Sequence, residues 1–223
     1  MVLRLADELD VPLRERNALL QAAGFAPIYG ETPLDAPEMS IARQAIDKVL
    51  RGHMPYPALV FDSRWNLVRG NDATSVFTAG LPEHLVGPDA NTMRIALHPD
   101  GLAPDLLDHA TVREHFLHRI RRQAAASGDP TLLALADECA AYPHPDEPPD
   151  VPMDADILLP LRLRRGDQVL NLFSTIATFG TATDLTLAEL SIEMFFPADA
   201  ESATHFAATT AEPERDVAVL ASA

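Results

Sequence analysis

A chain of 223 residues is the length of one globular domain or of one domain with a small appendage, and 47% hydrophobic residues allow a real core. No apolar run approaches the roughly 18–20 residues that span a bilayer, and Arg4, Asp7, Glu8 and Asp10 do not fit the apolar stretch of a secretory signal. The net charge of −16 repels a phosphate backbone unless the arginines gather on one face, which argues against a nucleic-acid binder. From the N-terminus, Leu3, Leu5, Ala6 and Leu9 give helical spacing up to Asp10. Pro12 then opens a second helix carrying Leu13, Asn17, Leu19 and Leu20, closed by Gly24. Two helices this short bury little surface alone and need a partner.

A Pro-bearing linker, Pro27 to Pro37, leads to a third helix from about Ala36 to Arg51. Its apolar stripe is Ile41, Ala45, Ile46, Val49 and Leu50, with Arg43, Gln44, Asp47 and Lys48 outward. After Pro55 and Pro57 the pattern changes. Ala58–Phe61 reads as a strand, Asp62-Ser63-Arg64 as a turn, and Trp65–Val68 as a second strand. Asn71 can cap a helix holding Ala73, Val76 and Phe77.

The middle of the chain is helical. Asn91 can cap Met93–Leu97, which stops at the turn His98-Pro99-Asp100-Gly101. The longest helix runs from Asp105 to about Ala126, with Leu106, Ala110, Phe116, Leu117 and Ile120 inward. Asp129-Pro130 opens a helix with Leu132, Leu133, Leu135 and Ala136. Pro143–Asp156 holds five acids, five prolines and no Lys or Arg, and reads as a loop. Three strands follow. Ile157–Arg165 and Gln168–Phe179 form a hairpin about Arg165-Gly166-Asp167. After a turn at Thr181–Thr186, Leu187–Phe196 sets Leu190, Ile192, Met194 and Phe196 on one face against Glu189, Ser191 and Glu193. The stretch after Pro197 lacks periodicity and is expected to be a disordered tail, with Val217–Leu220 its one apolar patch.

Two strands, a helical middle and three strands in hairpin succession define an α+β fold. The expected form is a PAS-like five-stranded antiparallel sheet with helices on one face, preceded by a short helical N-terminal remnant. A sheet roofed by helices can enclose a small apolar ligand.

The chemistry-bearing residues give little sign of catalysis. His109, His115 and His118 share the long helix, but one helix offers no tetrahedral metal set. His98 and Asp100 could act as an acid–base pair or simply shape a turn. No Gly-x-Ser-x-Gly, phosphate loop or dinucleotide glycine pattern is present. The lone Cys139 lies mid-helix beside Glu138, cannot form an internal disulfide and fits a reducing cytoplasm. The chain is expected to be cytoplasmic, without enzymatic activity, cofactor or metal. Arg119, Arg121 and Arg122 form the densest basic run and read as a solvated helix face. Arg94 could hold a ligand carboxylate or pair with an acid such as Glu114. The apolar set Phe77, Leu81, Leu85, Met93, Leu97, Phe116, Ile120, Leu172, Ile176, Met194 and Phe196 could be plain core or cavity wall, since periodicity does not separate the two.

Five phrases carry a resemblance: LADELDVPLRERNALLQAAGFAPIY (residues 5–29), YPALVFDSRWNLVRGN (56–71), NTMRIALHPDGLAP (91–104), REHFLHRIRRQ (113–123) and LSIEMFFPAD (190–199). In this order they resemble the MmyB-like transcription regulators, which join an N-terminal helix-turn-helix to a C-terminal PAS-like ligand-binding domain. The resemblance implies that residues 1–29 are the closing helices of a helix-turn-helix domain. Residues 30–55 are then linker and helix, 56–200 the ligand-binding domain and 201–223 a tail. It implies a fatty-acid-like ligand in a pocket walled by Phe77, Met93, Leu97, Phe116, Ile120, Leu172, Ile176, Met194 and Phe196, with Arg94 at its polar end. It also implies a homodimer with no membrane attachment, which reaches DNA only through a helix-turn-helix absent from this chain. The alternative is a truncated dimerisation or interaction module acting on a full-length regulator. With a charge of −16 and no recognition helix in the matched N-terminal phrase, this chain is expected to give no sequence-selective gel shift at about 100 mM salt.

Overall fold

The computed structural model describes residues 1–143 and 160–209. In chain order its elements are α1 (Val2–Glu8), α2 (Leu13–Ala22), α3 (Ser40–Gly52), β1 (Ala58–Phe61), β2 (Leu67–Gly70), α4 (Ser75–Thr78), α5 (Glu83–Val86), α6 (Thr92–Leu97), α7 (His109–Ser127), α8 (Pro130–Ala141), β3 (Leu161–Arg165), β4 (Gln168–Thr178), α9 (Leu185–Ala188), β5 (Ser191–Pro197) and α10 (Ala200–Thr209). The five strands form one sheet in the order β2-β1-β5-β4-β3, antiparallel at every pairing. The fold is therefore the expected α+β, PAS-like one with a helical N-terminus. Ile157, Leu158 and Leu159, expected to begin β3, and the patch Val217–Leu220 lie outside the described residues.

The sheet buries both faces. Under the helices lie Leu59, Phe61, Leu163, Leu170, Leu172 and Phe195, in one cluster with Met93, Leu97, Leu117, Ile120 and Leu135. On the reverse face Ala58, Val60 and Ile192 pack against Ile46 and Leu50 of α3, with Leu190 beside them. The ion pair Arg69–Asp47 ties the same helix to β2. So α3, a helix placed before the ligand-binding domain on sequence, packs on the sheet as the cover of that face. Asn71 shows how tightly the two are joined. Its carboxamide Oδ1 accepts the Ala58 N–H at 3.1 Å, while Nδ2 donates to the carbonyls of Leu50 at 3.1 Å and Tyr56 at 2.8 Å. It clamps α3 to the sheet and does not cap a helix with its side chain.

Several boundaries moved for local reasons. Trp65 adopts φ 67°, an outlier for a bulky residue. The second strand accordingly starts at Leu67 and not at Trp65. The long helix starts at His109 and not at Asp105, because Leu106 bridges Leu163 and the Leu107 N–H donates to the Arg162 carbonyl at 2.9 Å. Those contacts, with the ion pair Arg162–Asp108, cover the outer edge of β3. Before β5, Asp184 accepts the Thr186 N–H and caps α9 where an extended start was expected. After Pro197, Asp199 caps a tenth helix through the Ser202 N–H, and Phe206 buries itself against Tyr56. The expected disorder from residue 201 is thus corrected as far as Thr209.

At the N-terminus α1 and α2 bury only Ala6 and Leu20, leaving Leu5, Leu9 and Leu19 exposed. Arg14 fastens α2 to the domain, bridging Glu31 and Glu189 at 2.7 and 2.6 Å.

If α3 is a true cover, Leu50→Ala should lower stability by about 2–5 kcal/mol, the range for deleting a fully buried leucine. Urea unfolding measures this, and a loss below about 0.5 kcal/mol, the surface-substitution range, would show that the domain begins after the helix.

Candidate functional site

Between the sheet and its helices lies a partly open cavity of about 70 Å³. That is room for several waters or a stretch of hydrocarbon, since one water needs about 10–15 Å³ on this measure. The sheet supplies Leu59, Leu67, Leu161 and Phe195, and the helices supply Phe77, Met93, Ile95 and Phe116. The wall is almost wholly apolar; its polar residues are three threonines (Thr74, Thr78, Thr92) and Glu193.

Short elements hold the roof. In α6, Asn91 caps the helix by accepting the N–H groups of Met93 and Arg94, and its Nδ2 donates to the Arg64 carbonyl at 2.9 Å. This fixes Met93 and Ile95 over the sheet. The turn after α6 returns the chain so closely that a Cβ on Gly101 would run into the Ile95 carbonyl, and the Leu102 N–H donates to that carbonyl at 2.8 Å. Arg165 pins α4 to the β3–β4 hairpin, donating to the Val76 carbonyl at 2.6 Å and pairing with Asp105.

Trp65 lines the cavity. It is 4% exposed, stacks on Phe61 at 4.6 Å, and donates Nε1–H to Gln123 Oε1 at 2.9 Å. The Arg119 guanidinium lies 4.6 Å above its ring. Burial holds Arg119 below the ordinary arginine range, opposed by the attraction of Glu193. Glu193 faces the same space from β5. It accepts the Ser174 hydroxyl at 2.6 Å, and burial pushes its carboxyl up, against the lowering effects of that hydrogen bond and of Arg119. The residue is partly exposed and borders the cavity.

Of the residues expected to wall the pocket, Phe77, Met93 and Phe116 do so. Leu97, Ile120 and Leu172 are buried in the same cluster, one layer behind the wall. Ile176 points to the helix side but sits at the open end of β4, 37% exposed. Met194 and Phe196 are on the reverse face, Met194 against the α3 cluster and Phe196 against Phe173 and His53. The two faces of β5 were thus assigned the wrong way round, and the cavity receives Glu193 and Phe195. Arg94 is corrected as well. Its guanidinium makes two 2.8 Å hydrogen bonds to Glu138, whose carboxylate also accepts the Tyr142 hydroxyl, and it does not line the cavity. The acid is Glu138, not Glu114.

Elsewhere, burial, reinforced by Glu138, pushes the Cys139 thiol up to about 12, so it is not a ready nucleophile. His84, His98 and Asp100 bring possible ligand atoms within 4.8 Å of one another. However, His98 Nδ1 already accepts the Asp100 N–H at 3.0 Å, which is the turn-shaping role. Among the described residues no helix is long and apolar enough to cross a membrane.

A PAS-like sheet roofed by helices over an apolar cavity has the form of a small-molecule-binding domain. Residues 42–208 match the MmyB-like transcription regulator ligand binding domain, and the chain belongs to that family. The match begins within α3 and ends within α10, the same span that the packing ties to the sheet. No curated protein matches the chain.

Glu193 binds its proton more tightly folded than unfolded. Its contribution to stability is therefore full below the ordinary glutamate value of 4.5 and is lost as pH rises through the folded-state titration. Glu193→Gln keeps an acceptor for Ser174 and cannot ionise. Its melting temperature relative to the parent protein should rise as pH is raised above 4.5; a difference that stays constant would show that folding leaves the Glu193 carboxyl unshifted.

Proposed function

We propose that the domain senses a fatty-acid-like apolar small molecule whose chain occupies the cavity beneath α4, α6 and α7. The observation that carries this reading is the wall itself: hydrocarbon from Leu59, Phe77, Met93, Phe116 and Phe195 around an open space in a domain of a regulator family. Burying a methylene there contributes about 0.8 kcal/mol, so affinity for straight-chain acids should rise roughly fourfold per carbon until the cavity is full. In the full regulator, occupancy would act by changing how the roof helices pack on the sheet.

Calorimetric titration of the purified chain with hexanoic, octanoic and decanoic acids tests the reading. The expected result is that graded rise in affinity. Absence of binding by all three, with no lipid copurifying in native mass spectrometry, overturns it and leaves the truncated interaction module as the better account.

Phe116 is partly buried at the wall. Phe116→Ala should cost less than the about 3–5 kcal/mol of a filled-core phenylalanine and should change decanoic acid affinity. Arg94→Ala, away from the cavity, should leave that affinity unchanged. A full-sized stability loss at Phe116 that no acid alters would make this residue ordinary core.

A further inference from the structure

One group of chemistry-bearing side chains lies outside the cavity and plays no part in the acyl-chain reading: His84, His98 and Asp100, none of which lines that space. His84 belongs to α5, and His98 and Asp100 to the turn that ends α6. The fold, not sequence spacing, brings them together. Leu85 and Leu97, 2% and 1% exposed, seat the two helices in the core. The turn is closed by the Gly101 N–H donating to the His98 carbonyl at 2.8 Å. Two imidazoles then meet at 5.4 Å between ring centres, and each of the three side chains brings a donor atom within 4.8 Å of the others. His98 is partly buried against the Tyr142 ring, whereas His84 and Asp100 are exposed. Among the described residues His84 makes no hydrogen bond or ion pair, so its ring can turn toward the other two.

We propose that His84, His98 and Asp100 form a binding site for a divalent transition-metal ion of the zinc class, held by two imidazole nitrogens and one carboxylate oxygen, with water in the fourth position. The donor set selects the metal: imidazole suits zinc and its neighbours, whereas magnesium and calcium take oxygen ligands. Tetrahedral zinc ligands about 2.0–2.2 Å from the ion stand roughly 3.4 Å apart. His98 Nδ1 and Asp100 Oδ2 are already 3.8 Å apart. His98 Nδ1 accepts the Asp100 N–H at 3.0 Å, so that nitrogen presents a lone pair and not a proton. An ion there replaces one hydrogen bond whose donor is exposed, where water can take its place. The bound ion ties α5 to the exit of α6, the helix that brings Met93 and Ile95 to the cavity wall. Metal and apolar ligand thus act at separate places on the same roof.

Calorimetric titration of the full, metal-stripped chain with zinc chloride tests the site. The comparison proteins are His84→Ala and the double variant His115→Ala/His118→Ala, which removes the imidazole pair three residues apart on α7. The parent protein is expected to bind one ion per chain, with a melting temperature that rises with zinc concentration. His84→Ala should lose at least about tenfold in affinity and most of that rise, while the double variant should match the parent. His84 is exposed, and the melting temperature of the metal-free variant checks that its fold is intact. No binding by the parent protein at up to about 0.1 mM zinc overturns the proposal. Binding that His84→Ala leaves unchanged, or that the double variant abolishes, puts the ion elsewhere and overturns it equally.

Discussion

The seating of β5 between β1 and β4 governs the rest of the structure. Met194 lies opposite both Ala58 and Thr175, so a segment near the end of the domain is hydrogen-bonded on both edges. A slip of one residue would turn every β5 side chain to the other face. Ile192 and Met194 would leave the α3 packing, and Glu193 and Phe195 would leave the cavity. The register is fixed because both faces of this strand carry buried groups. Asn71 supports that seating by tying β1 to α3, the helix on which Ile192 and Met194 pack.

The two faces serve different ends. On the reverse face one amphipathic helix closes directly on small and branched side chains, Ala58 and Val60 among them. On the other, the cover is divided. The pair α7 and α8 is a hairpin joined through Gly128 in the left-handed conformation and Asp129 as a cap. The roof over the cavity instead joins Phe116 of α7 to the short helices α4 and α6, of four and six residues. Helices this short have no independent stability and exist only through their contacts. The wall contributed by α4 and α6 is therefore the part most readily repacked, while the sheet and α7 supply its rigid remainder.

Much of this architecture was legible in the sequence. The strands announced themselves by alternation, Asn91 and Asp129 by capping, and the hairpin by Arg165-Gly166-Asp167. The errors have a common physical origin. Alternation along β5 separates its two faces but does not say which one meets the helices when both are buried. The apolar row Ile192, Met194 and Phe196 took the cavity by default, and Glu193 was set on the opposite face. A lone acid between apolar neighbours was the available signal. The helix α10 was missed because its anchoring depends on Asp199, Ser202 and Phe206, each meeting a distant element, and not on periodicity. Arg94 was placed by chemistry alone, and only the fold shows Glu138 next to it.

Trp65 is the only tryptophan in the chain, and it borders the cavity with Phe61 on its ring and Arg119 above it. An indole in that position is an intrinsic optical probe. Its emission follows the polarity around the ring and the position of the nearby cation, with no other indole contributing. Filling the space beside it alters that polarity directly. The protein thus carries an unmodified fluorescent reporter beside its own cavity.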